Sequence, residues 1–155
     1  MKRRTLLTAA LGCCAMPRWA AANPAGGRVV IVGGGWGGLS AAHHVRRLAP
    51  QLEVTLVERQ PEFWSQPLSN RWLVGLARGE WLRHDYRRAA QHFGYRFVHG
   101  EVTAIDRPAR QIVTSAGSFA YDWAVLAPGI REDFSAWYGL DHEAAAHTRK
   151  HFQSA

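Results

Sequence analysis

Cysteine is nearly absent from this 155-residue chain, which contains only Cys13 and Cys14. Both lie within the first 22 residues, which have the features of a removable export signal. The mature chain would therefore have no disulfide, no thiol nucleophile and no cysteine-based metal site. None of the eight histidines is accompanied by a cysteine pair at metal-ligand spacing, and no Gly-x-Ser-x-Gly elbow occurs. The pattern does not indicate a metal site or a hydrolase nucleophile.

Long apolar runs are also scarce, and the amino-terminal one, residues 6–16, is too short to span a bilayer. It follows a basic stretch at residues 2–4 and precedes small residues at 20–22, a pattern typical of an export signal. The Arg3-Arg4 pair favours the twin-arginine route, which carries folded proteins, and thus the periplasm. An ordinary Sec signal and a lipoprotein site at residues 12–13 are the alternatives. We predict no transmembrane segment.

Acidic residues are outnumbered, but the excess of basic charge is largely confined to the signal. The formal net charge is +7, and four of those charges lie at Lys2, Arg3, Arg4 and Arg18, which leaves +3 for the rest. Such a small excess does not indicate nucleic-acid binding. Residues 23–155 are long enough for one domain with its own core.

The most informative stretch begins with an apolar, β-branched run at residues 28–32, which predicts a buried strand. Five glycines follow within six residues, and three of them match the G-x-G-x-x-G spacing. In that motif Gly33 makes a tight turn, Gly35 lets the backbone approach a pyrophosphate, and Gly38 lets a helix pack closely on the strand. A helix is predicted over residues 37–48, and its positive amino end would bind the pyrophosphate.

A second predicted strand, residues 53–58, ends in an acid 20 positions after Gly38. Dinucleotide-binding folds place the carboxylate that binds a ribose at this position. Glu58 could instead be a solvated strand end, and the glycines a flexible linker. Because strand, loop, helix, strand and acid occur in register, we predict a Rossmann-like α/β domain.

Further elements are predicted along the rest of the chain. Residues 59–67 read as a loop at the carboxyl edge of the sheet, and residues 68–75 as a short helix closed by Gly75. Phe63, Trp64 and Trp72 either wall a cofactor or pack a core. Residues 81–92 are predicted to be mostly helical, with Arg83, Arg87 and Arg88 on a solvated face rather than at a phosphate.

Strands are predicted over residues 95–99 and 101–106, and two more, 111–114 and 118–121, form a small antiparallel piece laid on the parallel sheet. The last apolar strand begins at residue 122 and opens into Pro128-Gly129, again a backbone turn at a carboxyl edge where a cofactor could pass.

Taken together, these stretches resemble the flavoproteins with two dinucleotide-binding domains, and more closely the flavoprotein of flavocytochrome c sulfide dehydrogenase and the sulfide:quinone oxidoreductases. The resemblance is carried by residues 32–42, 53–58, Leu68-Ser69-Asn70 with Gly75, and 121–130. It implies the first segment of an FAD-binding domain. The expected cofactor-binding residues are Gly33, Gly35, Gly37, Gly38, Glu58, Arg59, Ser69, Asn70, Val102 beside the adenine, Ala127, Pro128 and Gly129.

Two departures from that family change the expectation. Its tethering cysteine is replaced by Gln66, so FAD would be held non-covalently. Its chains are about three times longer by the usual domain arithmetic, and the parts not represented here include the redox cysteine pair. We therefore expect residues 23–155 to be an amino-terminal piece or the product of a truncated reading frame, inactive alone, with no identifiable catalytic residue.

By resemblance, the complete protein would be a periplasmic oxidoreductase that passes electrons from sulfide through FAD to a c-type cytochrome. The alternatives are a quinone-linked or NADH-linked flavoprotein, and an inactive remnant of a truncated gene.

Overall fold

The computed structural model describes residues 26–130, together with Tyr138, residues 141–144, Ala146 and His147. The predicted export signal, residues 1–22, lies outside the described residues. Every element discussed below falls within residues 26–130.

The elements alternate between strands and helices along the first two thirds of this range and are mainly strands afterwards. In chain order they are β1 (Arg28–Val32), α1 (Trp36–Leu48), β2 (Glu53–Glu58), β3 (Glu62–Trp64), α2 (Ser69–Leu73), β4 (Arg83–Asp85), α3 (Tyr86–Phe93), β5 (Arg96–His99), β6 (Val102–Asp106), β7 (Gln111–Thr114), β8 (Gly117–Ala120) and β9 (Trp123–Leu126), with 3-10 turns at Gln66–Leu68 and Gly79–Leu82.

A four-stranded parallel sheet, in the order β5-β2-β1-β9, forms the centre of the domain. Its two central strands are buried on both faces, as expected for a parallel sheet covered on each side. Val29 and Ile31 of β1 pack in one cluster with residues of α1 and α3, whereas Val30 points to the opposite face. The predicted Rossmann-like α/β fold is confirmed.

The second face of the sheet is covered by an antiparallel sheet with the order β6-β7-β8. Ile112 of β7 is fully buried and packs with Val30, Val57 and Val98 of the parallel sheet. The predicted antiparallel piece is therefore present, and it is larger than expected because β6 pairs with β7.

The prediction that residues 81–92 are mostly helical is right for the second part of the segment and wrong for the first. Leu82 belongs to a 3-10 turn, and β4 then pairs antiparallel with β3, inside the segment predicted to be a loop. Helix α3 begins only after Asp85, whose carboxylate caps it by accepting a hydrogen bond from the Arg87 N–H at 2.7 Å. The β3–β4 pairing joins residues far apart in sequence, so local periodicity does not reveal it.

Gly75 closes the short helix α2 as predicted. Its φ of 74° is in the left-handed region, and its N–H donates to the Trp72 carbonyl oxygen at 3.0 Å. The Leu76 N–H donates to the Arg71 carbonyl oxygen at 2.8 Å, which completes a Schellman-type end. A residue with a Cβ would be strained at this φ.

Candidate nucleotide-binding site

The site lies where the strand order of the parallel sheet reverses, between β1 and β9. The carboxyl ends of these neighbouring strands carry the glycine loop, residues 33–35, and the turn at residues 127–129. A Cβ on Gly33, whose φ is 98°, would strike the Ala127 carbonyl oxygen, so the two segments are in contact. Ligands of open α/β sheets bind in the crevice at such a switch point.

The motif glycines are required for different reasons. A Cβ on Gly38 would strike the carbonyl oxygen of Gly33, so α1 approaches β1 too closely for any side chain. Gly35 has a φ of −67° and is exposed, and a Cβ there would meet no described atom within 4 Å. Folding therefore needs Gly33 and Gly38, whereas the space above Gly35 is open to a ligand. Gly37 is also exposed at this edge.

Glu58 lies at the end of β2 and is bound to the glycine loop. Its Oε2 accepts a hydrogen bond from the Gly34 N–H at 2.6 Å, and its Oε1 accepts one from the Gln60 N–H at 2.8 Å. A carboxylate has about four acceptor positions, so capacity remains for the hydroxyls of a ribose. The neighbouring Arg59 is exposed, and its carbonyl oxygen is 2.9 Å from Nε2 of His99.

Sequence reasoning missed the part played by Tyr86, the first residue of α3. Its hydroxyl donates to the carbonyl oxygen of Gly34 at 2.9 Å, and the side chain is buried. Burial, and then the nearby negative charge of Glu58, raises the pKa of Tyr86 well above its ordinary value. The hydroxyl therefore stays protonated and serves as a donor. The Asp85 cap could have indicated that Tyr86 starts a helix, but not that it reaches the loop.

The other predicted site residues lie at varied distances from this centre. The Gly100 N–H donates to the Glu58 carbonyl oxygen at 2.9 Å, so β6 starts beside Glu58, and Val102 is half-buried against the cluster that contains Val57. Ser69 and Asn70 lie on α2, and Asn70 Oδ1 accepts from the Arg71 N–H at 2.8 Å. Within the described residues, no hydrogen bond joins α2 to the glycine loop.

The three aromatic residues considered as a cofactor wall have separate environments. Phe63 is buried in the core and packs edge-on to Trp36, with ring centroids 5.1 Å apart. Trp64 is exposed, and the guanidinium of Arg83 lies 5.7 Å from its ring centroid. Trp72 is half-buried at the edge of a shallow depression of about 660 Å³. The core interpretation holds for Phe63.

The arginines of the segment predicted to be mostly helical, Arg83, Arg87 and Arg88, are all exposed, as expected for a solvated face. In the part of the chain that the structure describes, no three His, Cys, Asp or Glu side chains are grouped so that they could hold a metal ion. None of the described helices has both the length and the apolar character needed to cross a bilayer.

Comparison with known proteins places the chain in one family. Residues 27–154 match the family described as pyridine nucleotide-disulphide oxidoreductase. The chain is 28% identical to the sulfide-quinone reductase of Aquifex aeolicus over 124 residues, which are 79% of this chain and 29% of that protein. A solved structure of the sulfide:quinone oxidoreductase from the same organism superposes with a TM-score of 0.65 at 27% identity, covering 82% of this chain and 32% of that one.

Two further relatives are named for different activities. The flavoprotein chain of the sulfide dehydrogenase (flavocytochrome c) of Chlorobaculum thiosulfatiphilum is 54% identical over 43 residues, which are 28% of this chain and 90% of that sequence. The type II NADH:quinone oxidoreductase of Staphylococcus saprophyticus is 27% identical over 108 residues, 68% of this chain and 27% of that protein. The chain thus spans less than a third of the length of the Aquifex and Staphylococcus proteins. Because the family match covers residues 27–154, the chain belongs to the pyridine nucleotide-disulphide oxidoreductases.

Proposed function

We propose that this chain binds the ADP half of FAD in the crevice between β1 and β9. One observation carries the proposal: the glycine loop, the amino end of α1 and the Glu58 carboxylate converge at the point where the strand order reverses. The open space above Gly35 suits a pyrophosphate, which would accept hydrogen bonds from the loop and from the first turn of α1. Glu58 would accept hydrogen bonds from the ribose.

The other expected contacts extend this site. Gly37 and Gly38 would add first-turn N–H groups, Val102 would lie near the adenine, and the turn at residues 127–129 would border the flavin end together with Ser69 and Asn70. When bound, FAD supplies the redox chemistry, and the protein supplies position and environment.

Titration with FAD, followed by quenching of flavin fluorescence, tests this binding. We expect saturable binding that Gly35→Val abolishes, because the added side chain fills the space assigned to the pyrophosphate. Since Gly35 has no described neighbour at its Cβ position, the variant should keep the far-ultraviolet circular dichroism of the parent. Tight binding by Gly35→Val would remove the glycine loop from the site.

The FAD is proposed to be held without a covalent bond. Gln66 stands where the resembling family has its tethering cysteine, and an amide side chain cannot form a thioether. Acid precipitation should release all the yellow chromophore into the supernatant, whereas Gln66→Cys gives the matched variant in which attachment is chemically allowed. Flavin that remains with the pellet of the unmodified protein would contradict non-covalent binding.

For the complete protein, we propose transfer of electrons from sulfide through FAD to a c-type cytochrome. The support is the similarity to two relatives, a sulfide-quinone reductase and the flavoprotein chain of a sulfide dehydrogenase (flavocytochrome c). A quinone acceptor is the second candidate, favoured by the Aquifex and Staphylococcus relatives. No catalytic residue is assigned within this chain.

The donor and acceptor are tested on the chain together with whatever coding sequence follows the codon for Ala155 at its locus. Under argon, sulfide should bleach the flavin, and oxidised cytochrome c should restore its colour. Recovery of the flavin colour with a quinone but not with cytochrome c would favour the quinone as acceptor. Bleaching by NADH but not by sulfide would favour an NADH-linked enzyme. If the reading frame stops at Ala155 and the protein shows neither reaction, it is a remnant.

The location is proposed to be the periplasm, reached by the twin-arginine route, on the basis of Arg3-Arg4 and the apolar segment that follows. Changing both arginines to lysine preserves the charge but should retain the protein in the cytoplasm. An unchanged periplasmic yield would contradict this route.

A further inference from the structure

Two side chains from different elements hold the peptide groups on either side of Gly34. Glu58, at the end of β2, accepts a hydrogen bond from its N–H at 2.6 Å, and Tyr86, at the start of α3, donates one to its carbonyl oxygen at 2.9 Å. Gly34 itself is buried, and a Cβ there would lie 2.7 Å from the Tyr86 ring. The loop therefore rests directly on this tyrosine.

The hydroxyl of Tyr86 also determines where the next N–H points. The carbonyl of Gly34 and the N–H of Gly35 belong to one peptide group, and in a trans peptide the two point in opposite directions. No cis peptide bond occurs in the described residues. Because Tyr86 draws the carbonyl toward the buried core, the N–H of the exposed Gly35 is directed outward, into the open crevice.

We propose that Tyr86 is a positioning residue that orients the Gly35 N–H toward the pyrophosphate of the dinucleotide. Its ring is fixed for this purpose by stacking on Phe97, with centroids 4.9 Å apart and planes 17° apart. The raised pKa of the hydroxyl keeps it protonated at any physiological pH. The Gly34 N–H already donates to Glu58, whereas the Gly35 N–H is left to donate to the ligand. The inference rests on the proposed FAD site and concerns one donor within it.

The test compares ADP with adenosine, which lacks the pyrophosphate, on the full chain by isothermal titration calorimetry. Tyr86→Phe keeps the ring and its stacking but loses the hydroxyl. We expect it to weaken ADP binding about five- to tenfold, the effect of one modest hydrogen bond, while adenosine binding stays within about twofold.

Tyr95→Phe is the matched control. Tyr95 is buried in the same core cluster as Tyr86, and its hydroxyl has no hydrogen-bond partner among the described residues. Removing that hydroxyl changes a core tyrosine without touching the loop, so the ratio of ADP to adenosine affinity should stay at the parent value. An equal loss of both ligands in Tyr86→Phe would indicate a purely structural role and overturn the inference.

A measurement on the unmodified chain covers the case in which Tyr86→Phe fails to fold. In amide NMR spectra, ADP should shift the Gly35 resonance strongly and the Gly34 resonance weakly, whereas adenosine should shift neither strongly. Equal shifts at both glycines, or a ratio of ADP to adenosine affinity that is unchanged in Tyr86→Phe, would refute the role of Tyr86 without contradicting the proposed FAD site. Absence of FAD and ADP binding by the parent chain would refute the proposed function and this inference together.

Discussion

Alanine substitutions at Gly35 and Gly38 should separate binding from folding. A Cβ at Gly38 would strike the Gly33 carbonyl oxygen, which is backbone and has no rotamer to change, so α1 must move away from β1. Overpacking of this kind costs about 1–3 kcal/mol. At Gly35 the same methyl meets no described atom within 4 Å, and the φ of −67° suits alanine.

Two smaller effects remain at Gly35, and they oppose each other. The residue is the N-cap of α1, where alanine is less favourable than glycine by about 0.5 kcal/mol. Replacing glycine also removes unfolded-state freedom, which stabilises the fold by about 0.4–1 kcal/mol. The net change for Gly35→Ala should therefore lie within about 0.5 kcal/mol of zero, against a loss of about 2 kcal/mol for Gly38→Ala.

Urea unfolding followed by circular dichroism measures both variants, and FAD titration of the same samples measures binding. We expect Gly35→Ala to unfold at the parent midpoint and yet bind FAD more weakly, and Gly38→Ala to unfold at a clearly lower urea concentration. Equal destabilisation by the two substitutions would refute the assignment of Gly35 to the ligand and Gly38 to packing.

Three further outcomes are expected. Glu58→Ala should weaken FAD binding by about 1–3 kcal/mol, and Glu58→Gln by less because it keeps one acceptor oxygen; equal calorimetric affinities for all three proteins would contradict the ribose contact. Hydrogen bonds from Arg28 lower the pKa of Asp122, so the stability that they supply is present at neutral pH and lost on acidification. Asp122→Asn should therefore lower the melting temperature at pH 7, and the difference from the parent should disappear in acid. Burial raises the pKa of Tyr86 and Tyr95 in the folded state, so the unfolded tyrosines ionise first above about pH 10. The free energy of unfolding should fall there by at most about 1.4 kcal/mol per pH unit for each tyrosine. In thermal melts at alkaline pH, the double variant Tyr86→Phe, Tyr95→Phe should show a shallower fall.

The sequence alone was sufficient for the nucleotide-binding half of the parallel sheet. The β-branched run before the glycine loop, the helix after it and the acid at the end of the next strand are local signals with fixed spacing, and all appear where predicted. The antiparallel piece could also be predicted, since alternating residues around the Gly117 turn form a local hairpin. Each of these features depends on neighbours within a few residues or on one crossover unit.

Tertiary structure decided the features that join distant segments. The pairing of β3 with β4 links Phe63 with His84, and this contact replaces the first part of the predicted helix with a strand. The hydrogen bond from Tyr86 to Gly34 spans 52 positions and comes from an element that the sequence shows only as an amphipathic helix. Neither contact has a periodic signature, because each joins segments that are distant in sequence: β3 with β4, and the start of α3 with the glycine loop. Sequence spacing placed the loop, but only the packed fold determined the direction of its N–H groups.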